Sequence, residues 1–145
     1  MLNAFKTHIN QQFPFLKEGK LLIAISGGLD SVVLAHLCHS LNLNISLAHC
    51  NFKLRNTDSD LDEAFVKQLA LHLNCQVYTT TFNTEVYAKN NKLSIQLAAR
   101  ELRYNWFKTL LNTHQLDYVL TAHHADDNLE TLLINISRGT GINGL

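Results

Sequence analysis

The sequence contains a single proline, Pro14, and no repeated, low-complexity or proline-rich segment that would mark a linker between domains. Its three cysteines, Cys38, Cys50 and Cys75, form no C-x-x-C pair, which argues against a zinc site or a redox pair and favours a reducing, cytoplasmic setting. No apolar run approaches the length of a membrane span, and no signal peptide is recognisable. We therefore expect one globular domain without a membrane partner.

The chain also lacks an excess of charge of either sign, because 12 Lys and Arg residues balance 12 Asp and Glu residues. This balance gives no electrostatic indication of a nucleic-acid partner, although it leaves room for a local basic patch. With 46% hydrophobic and 17% charged residues, the composition is that of an ordinary globular protein. Its 145 residues are enough to bury a substantial core.

Apolar runs that read as strands alternate with helical segments along the chain. The predicted strands are residues 21–25, 43–48, 75–81 and 117–122, and the main predicted helices are 2–12, 30–41, one starting in the acidic stretch 58–63, 94–112 and 125–137. In the 94–112 helix, Ser94 is the expected N-cap, and Leu97, Leu102, Trp106 and Leu110 are the expected core face. The alternation predicts an α/β fold with a parallel sheet and helices on both faces.

The turn after the first strand, Ser26-Gly27-Gly28-Leu29-Asp30-Ser31, has the composition of an anion site. Glycines let the backbone approach a ligand closely, and the first N–H groups of the following helix attract negative charge. The turn is neither a Walker A loop nor a G-x-G-x-x-G turn. Since Asp30 would repel a bare phosphate, it favours a Mg²⁺-nucleotide. The alternative interpretation is that Asp30 and Ser31 only cap the helix.

Two further polar clusters follow predicted strands, at His49–Arg55 and at His123–Glu130. In parallel sheets, ligands bind beyond the carboxyl ends of the strands, so these clusters and the glycine turn are expected to share one site. Taken separately, each cluster has a structural interpretation. His49 and Asn51 also suit a strand end, and Arg100 and Arg103, three residues apart on a helix, also suit a solvated basic face.

The third cluster contains His124, Asp127 and Glu130. The two carboxylates are three residues apart, so on a helix they share a face, where they can hold Mg²⁺ or the ammonium group of an amine substrate. His124 is a candidate phosphate donor or acid–base group. Helix capping explains some of these side chains but is a poor explanation for all of them.

The motifs together identify a resemblance. S-G-G-L-D-S at 26–31 resembles the pyrophosphate loop of the N-type ATP pyrophosphatases, with their Rossmann-like PP-loop ATPase architecture. Within that superfamily, four further motifs resemble the tRNA(Ile)-lysidine synthases: H-x-N with L-R at 49–55, A-A-R-x-x-R-Y at 98–104, T-A-H-H-x-D-D-x-x-E-T at 121–131 and R-G-T-G at 138–141. The resemblance spans residues 20–145.

The resemblance implies a ligase that uses ATP, Mg²⁺, free L-lysine and the isoleucine tRNA with a CAU anticodon. ATP adenylates the wobble cytidine, and lysine then displaces AMP to give lysidine, which changes the codon and the amino acid that the tRNA serves. The implied ATP-binding residues are Ser26, Gly27, Gly28, Leu29, Asp30, Ser31, His49 and Asn51. The implied catalytic residues are Arg100, Arg103, His124, Asp127 and Glu130, with Asp30 and Asp127 as metal ligands.

The sequence departs from the family pattern at Phe52, where a second histidine is usual, and at Asn128, where many members carry glutamine. Family members also continue after this domain, so residues 1–145 read as an incomplete N-terminal ATP-binding catalytic domain, with a further strand expected beyond Leu145 and the C-terminal tRNA-binding regions absent. The oligomeric state is left open, a dimer included. A PP-loop tRNA thiolase and a non-catalytic adenine-nucleotide-binding module are the alternatives.

Overall fold

The computed structural model describes residues 1–26, 28–54, 57–124 and 132–138. Its elements in chain order are α1 (Leu2–Gln12), a 3-10 turn (Pro14–Lys17), β1 (Lys20–Ala24), α2 (Leu29–Ser40), β2 (Asn44–Asn51), α3 (Thr57–Leu73), β3 (Gln76–Thr81), α4 (Thr84–Asn90), α5 (Ile95–His114), β4 (Tyr118–His124) and β5 (Leu132–Ser137). Within these ranges, no helix combines the length and the apolarity that a bilayer crossing requires.

The five strands form one sheet in the order β3-β2-β1-β4-β5. β1 pairs in parallel with β2 on one side and with β4 on the other, and β2 pairs in parallel with β3. The carboxyl ends of β1, β2, β3 and β4 therefore lie at the same edge of the sheet. The predicted α/β fold with a largely parallel sheet is confirmed.

The sheet is covered on both faces, as continuous apolar strands require. Leu21 and Ile23 of β1 pack into a core with the buried side chains of α1, α2 and α3. Leu22, between them in the sequence, points to the opposite face and packs with Phe107 and Leu110 of α5. Two cores thus fix β1 at the centre of the domain.

The last element of the sheet differs from the prediction. The sequence predicts a helix over 125–137, whereas the structure has a strand at Leu132–Ser137, antiparallel to β4. Short apolar runs do not distinguish a strand from a helix by periodicity, and here alternate residues serve the two faces: Ile134 and Ile136 pack on the larger core. The further strand expected beyond Leu145 stays a prediction. Residues 125–131 lie outside the described ranges.

The long helix α5 confirms one prediction and corrects another. The Ser94 side chain caps it, accepting a hydrogen bond from the Leu97 N–H at 3.1 Å. Of the predicted core face only Leu110 is fully buried, and Leu97 is 55% exposed. The buried row is instead Ala98, Tyr104, Phe107, Leu110 and Leu111. In this row, Tyr104, Phe107, Leu110 and Leu111 form one core with the sheet, and the predicted Trp106 packs against it partly buried.

Burial in the sheet predicts a large difference between two leucines. Leu47 in β2 has no exposed surface, whereas Leu71 on α3 is 74% exposed. We expect Leu47→Ala to lower the free energy of unfolding by about 2–5 kcal/mol, because it removes core contacts and leaves a cavity. The matched variant Leu71→Ala is expected to change it by about 0.5 kcal/mol or less. Urea unfolding followed by circular dichroism measures both, and equal effects would contradict the assigned faces.

Candidate active site

A cavity of about 590 Å³ opens at the carboxyl ends of β1, β2 and β4. Its walls come from the turn after β1, the end of β2, the first half of α3, one face of α5 and β5. The volume lies within the range of small-molecule sites. Two of the polar clusters that were predicted to share one site at this edge line this cavity: the turn after β1, through Ser26 and Ser31, and the end of β2.

The turn after β1 is closed by its own hydroxyl groups. The Ser26 N–H donates to Ser31 Oγ at 3.2 Å, the Gly28 N–H donates to Ser26 Oγ at 3.2 Å, and Ser31 Oγ donates to the Gly28 carbonyl at 3.3 Å. A Cβ on Gly28 would lie 3.3 Å from Ser26 Oγ, a tight contact that favours glycine. Both serines line the cavity, so their hydroxyl groups are held at its wall by the hydrogen bonds of the turn.

The structure argues against the interpretation of Asp30 and Ser31 as simple helix caps. The N-cap of α2 is Gly28, which has no side chain, and Asp30 lies inside the first helical turn. The residue at the N-cap position therefore brings no side chain to the first N–H groups of α2, and helix N-termini of this kind can bind anions. The Leu29 side chain is 60% exposed and does not line the cavity.

His49 lies near the carboxyl end of β2 and is 3% exposed. Its Nδ1 lies 2.7 Å from the carbonyl oxygen of Ile25, the residue before the serine turn. The other ring nitrogen, Nε2, is buried and has no hydrogen-bond partner in the described part of the chain. Since His49 lines the cavity, the strand end fixes the ring and leaves one polar atom for a ligand.

Asn51 also lines the cavity, but its amide group already has two partners. Its Nδ2 donates to Asp60 Oδ1 at 2.9 Å, and its Oδ1 accepts from the Lys53 N–H at 3.0 Å. Lys53, with a φ of 57°, turns back so that its Nζ reaches the same Asp60 oxygen at 2.6 Å. In this structure Asn51 holds the loop after β2 in place, and direct ligand binding by Asn51 stays a prediction.

Arg103 contributes a cation to the cavity wall from α5. Its Nη2 donates to the Tyr104 hydroxyl at 2.9 Å, and its guanidinium lies 4.9 Å from the centre of the Tyr104 ring. Its Nε is buried without a partner among the described residues. Arg100 stacks on the same ring at 4.8 Å but is exposed and does not line the cavity. Of the two arginines, Arg103 is therefore the better placed for a ligand.

Cys50 is the cysteine that lines the cavity. Burial raises the pKa of its thiol to about 12, and the positive charge of Arg103 opposes that rise only in part. The thiol is therefore protonated at neutral pH and is a poor nucleophile or metal ligand. Cys38 and Cys75 lie elsewhere, so the cavity contains no cysteine pair.

Gly28, Leu29 and Asp30 of the predicted site are described but do not line the cavity, and its remaining residues lie outside the described part of the chain. These are Gly27, Asp127 and Glu130, together with the side chain of His124, whose backbone ends β4 at the cavity edge. Among the described residues, no three metal-ligating side chains form a cluster. The assignment of these positions stays a prediction.

Among the residues that line the cavity but were given no role from the sequence are Phe52, Leu54, Asp62 and Asn135. Phe52 and Leu54 follow β2 directly, so their place after a strand end was a usable signal. Asp62 was attributed to the helix dipole with the other acids of α3. Asn135 was hidden by the helical interpretation of its segment.

Asp60 provides a test of the loop geometry through pH. Hydrogen bonds from the Lys53 and Asn51 side chains lower the pKa of its carboxyl from the usual 3.8. A lowered folded-state pKa stabilises the protein above the unfolded-state pKa, and this contribution is lost as the pH falls through the folded-state value. Asp60→Ala should therefore lower the urea midpoint near neutral pH, and less so in acid.

Asp58 is the matched control, because it is also an exposed acid in the first turn of α3. At about pH 7 we expect a larger loss for Asp60→Ala than for Asp58→Ala, and at about pH 3 or below we expect the excess to shrink. An excess that is independent of pH would contradict the network.

The whole chain, residues 1–145, matches the PP-loop domain family. Curated relatives named tRNA(Ile)-lysidine synthase include those of Bacteroides thetaiotaomicron, 46% identical over 95% of this chain, Porphyromonas gingivalis, 44% over 100%, and Bacillus subtilis, 35% over 99%. The chain covers 32%, 32% and 31% of these relatives, so it spans about a third of their length.

Two solved structures share the fold. An NMN synthetase from Francisella tularensis matches with a TM-score of 0.63 and 17% identity, over 81% of this chain and 51% of that one. An NH3-dependent NAD synthetase from Campylobacter jejuni matches with a TM-score of 0.55 and 15% identity, over the same shares of the two chains. At such identities the likeness concerns the fold alone. The match over the full chain, together with the serine–glycine turn at the carboxyl edge of a parallel sheet, establishes that this chain belongs to the PP-loop domain family.

Proposed function

We propose that this chain is the ATP-using catalytic domain of a tRNA(Ile)-lysidine synthase, which joins free lysine to the wobble cytidine of the isoleucine tRNA with a CAU anticodon. The observation that carries the proposal is the cavity, where the serine turn, His49 and Arg103 meet. The names of the relatives select this chemistry among those of PP-loop proteins. The remaining tRNA contacts are assigned to regions that these 145 residues do not include.

ATP is proposed to bind with its phosphates at the turn after β1. Ser26 and Ser31 supply hydroxyl groups, and the first turn of α2 supplies N–H groups and the positive end of its dipole. The glycine at position 28 lets the phosphate approach the backbone. Gly27 is added from the sequence pattern alone.

Mg²⁺ suits the donors at this turn. It prefers one or two carboxylates together with phosphate oxygens and water, and Asp30 supplies a carboxylate in the first turn of α2. Asp127 is the second proposed ligand, from the sequence alone. When bound, the ion neutralises charge on the pyrophosphate that leaves.

In the first step, O2 of the cytidine attacks the α-phosphorus of ATP, and the bond to pyrophosphate breaks. Arg103 is proposed to hold the α-phosphate or the adenylated base, since its buried Nε is a donor without a partner in the described chain. The rings of Tyr104 and Phe107, whose centres lie 4.9 and 5.9 Å from its guanidinium carbon, orient the Arg103 side chain. Arg100, at the exposed rim, is proposed to guide the tRNA backbone.

In the second step, the ε-amine of lysine attacks C2 of the cytidine, and AMP leaves with the electron pair of the C2–O bond. The amine must lose a proton to attack, and Asp127 and Glu130 are the proposed acceptors and binding groups for it. His124 is proposed to contact the phosphate of the departing AMP. These three roles depend on sequence spacing.

The alternatives are less well supported. A thiolase of the kind that uses paired cysteines fits poorly, because Cys50 is alone in the cavity and its pKa is about 12. A non-catalytic nucleotide-binding module would need the turn but not the acidic cluster at 126–130. The three free cysteines and a tRNA substrate favour a reaction in the cytoplasm.

A chimera tests the proposed reaction in a full-length protein. Residues 1–145 replace the matched segment of the Bacteroides thetaiotaomicron synthase, which is 46% identical over 138 residues. The chimera is incubated with Mg-ATP, labelled lysine and a tRNA(Ile) transcript with the CAU anticodon. We expect one lysine per tRNA, and no incorporation when uridine replaces the wobble cytidine.

Asp127→Ala in the chimera should lower lysine incorporation by about 100-fold or more, because it removes the proposed base. Glu85→Ala, which removes an exposed carboxylate in the first turn of α4, is the control and should leave incorporation unchanged. A folded chimera that binds ATP but transfers no lysine would overturn the proposal and favour a binding module. Transfer of sulfur would favour the thiolase.

A further inference from the structure

The hydrogen bond between His49 and Ile25 fixes the tautomer of the His49 ring. A backbone carbonyl oxygen only accepts hydrogen bonds, so the nitrogen 2.7 Å away, Nδ1, must carry the proton. In a neutral imidazole the other nitrogen, Nε2, is then an acceptor with no proton of its own. The ring is 3% exposed, so this bond lies in the interior of the domain.

The acceptor at Nε2 is buried at the cavity and lacks a partner among the described residues. A buried polar atom without a partner costs free energy, so such atoms in native proteins normally have a hydrogen-bond partner, whether protein, water or ligand. The ring is fixed through Nδ1, because rotation of the His49 side chain would break the hydrogen bond to the Ile25 carbonyl. The site therefore favours a ligand that brings a hydrogen-bond donor to this atom.

Phosphate oxygens of a nucleotide at neutral pH are acceptors, and they would meet the Nε2 lone pair unfavourably. The donors of ATP belong to its nucleoside: the two ribose hydroxyl groups and the amino group of adenine. We propose that His49 Nε2 accepts a hydrogen bond from the nucleoside part of ATP and so fixes the direction in which the nucleotide lies across the cavity. This inference rests on the proposed ATP site.

The surroundings of His49 support a nucleoside at this end of the cavity. Phe52 and Leu54, which follow β2, line the same cavity with apolar surface. The Phe52 ring stacks on Phe82 with centres 5.8 Å apart, and its carbonyl oxygen accepts a bond from Thr84 Oγ at 2.9 Å. An ordered aromatic wall suits a sugar or a base better than a triphosphate. In this orientation the phosphates of ATP contact the hydroxyl groups of the turn after β1.

His49→Asn is the variant that isolates Nε2. The asparagine Nδ2 occupies the place of His Nδ1 and can still donate to Ile25, whereas nothing replaces Nε2. We expect Mg-ATP to bind about tenfold more weakly to this variant, as for the loss of one buried hydrogen bond. Inorganic triphosphate, the phosphate probe, should bind both proteins equally. His49→Gln, which returns an acceptor near the Nε2 position, should recover part of the affinity.

Analogues of ATP distinguish the two sources of the donor. The Mg²⁺ complexes of 2′-deoxy-ATP, 3′-deoxy-ATP and purine riboside triphosphate, which lacks the amino group, are titrated into both proteins by calorimetry. One analogue should bind the wild-type chain about tenfold more weakly than ATP, yet bind the His49→Asn variant as well as ATP does. The hydroxyl or amino group missing from that analogue is the partner of Nε2.

The outcomes separate this inference from the proposed function. Equal binding of all analogues by the wild-type chain overturns the inference without needing the variant, and so does ATP binding that His49→Asn leaves unchanged. A parallel loss for ATP and triphosphate would show that the ring contacts phosphate, which also overturns it. Failure of the wild-type chain to bind any Mg-nucleotide would remove the proposed ATP site itself.

Discussion

The position of β1 in the sheet is the constraint on which the rest of the structure depends. From β1 the chain turns to one side to build β2 and β3, and it returns on the other side as β4. This reversal leaves a crevice at the carboxyl end of the central strand, where α/β proteins bind ligands. The turn that starts at Ser26 opens into this crevice, and β1 is held there because both of its faces are buried.

The candidate site has two kinds of wall. The turn after β1 contributes serine hydroxyl groups at the start of α2, and α5 contributes the aromatic rings of Tyr104 and Phe107. Ser26 and Ser31 bond to one another across the turn, so their geometry does not depend on a ligand. On α5, Arg103 is held by the rings of Tyr104 and Phe107, which places a charge within a wall that is otherwise aromatic. Although the chain has no net charge, the cavity thus combines the hydroxyl groups of the turn with a cation.

The sequence predicted the parts of the fold that local patterns determine. The apolar run before Ser26, the glycine turn and the Ser94 cap are each encoded within a few residues, and the structure contains all three. Residues 132–137 were predicted as helix because a run of six residues fits the periodicity of a helix as well as that of a strand. Pairing with β4 makes the segment a strand. The face of α5 was misjudged because the contact with the sheet selects Tyr104 and Phe107 over Leu97.

The role of a polar side chain was harder to predict than its place. His49 and Asn51 both lie where strand alternation puts them, on the same face of β2. Only the tertiary structure distinguishes them. The amide group of Asn51 is hydrogen-bonded to Asp60 and to the Lys53 backbone, whereas one ring nitrogen of His49 has no partner in the described chain. The solved NMN and NAD synthetases at 15–17% identity share the fold, and a shared fold does not by itself determine the chemistry.

The central claim is that Mg-ATP binds at the turn after β1, and calorimetric titration of the 145-residue chain tests it most directly. Saturable binding that Asp30→Ala weakens by about tenfold or more, and that Asp58→Ala on α3 leaves unchanged, is the predicted result. The two variants remove one first-turn carboxylate each, so their comparison separates the turn from general effects of charge. Binding that both variants leave unchanged, or a folded wild-type chain that binds no Mg-ATP, would contradict the account.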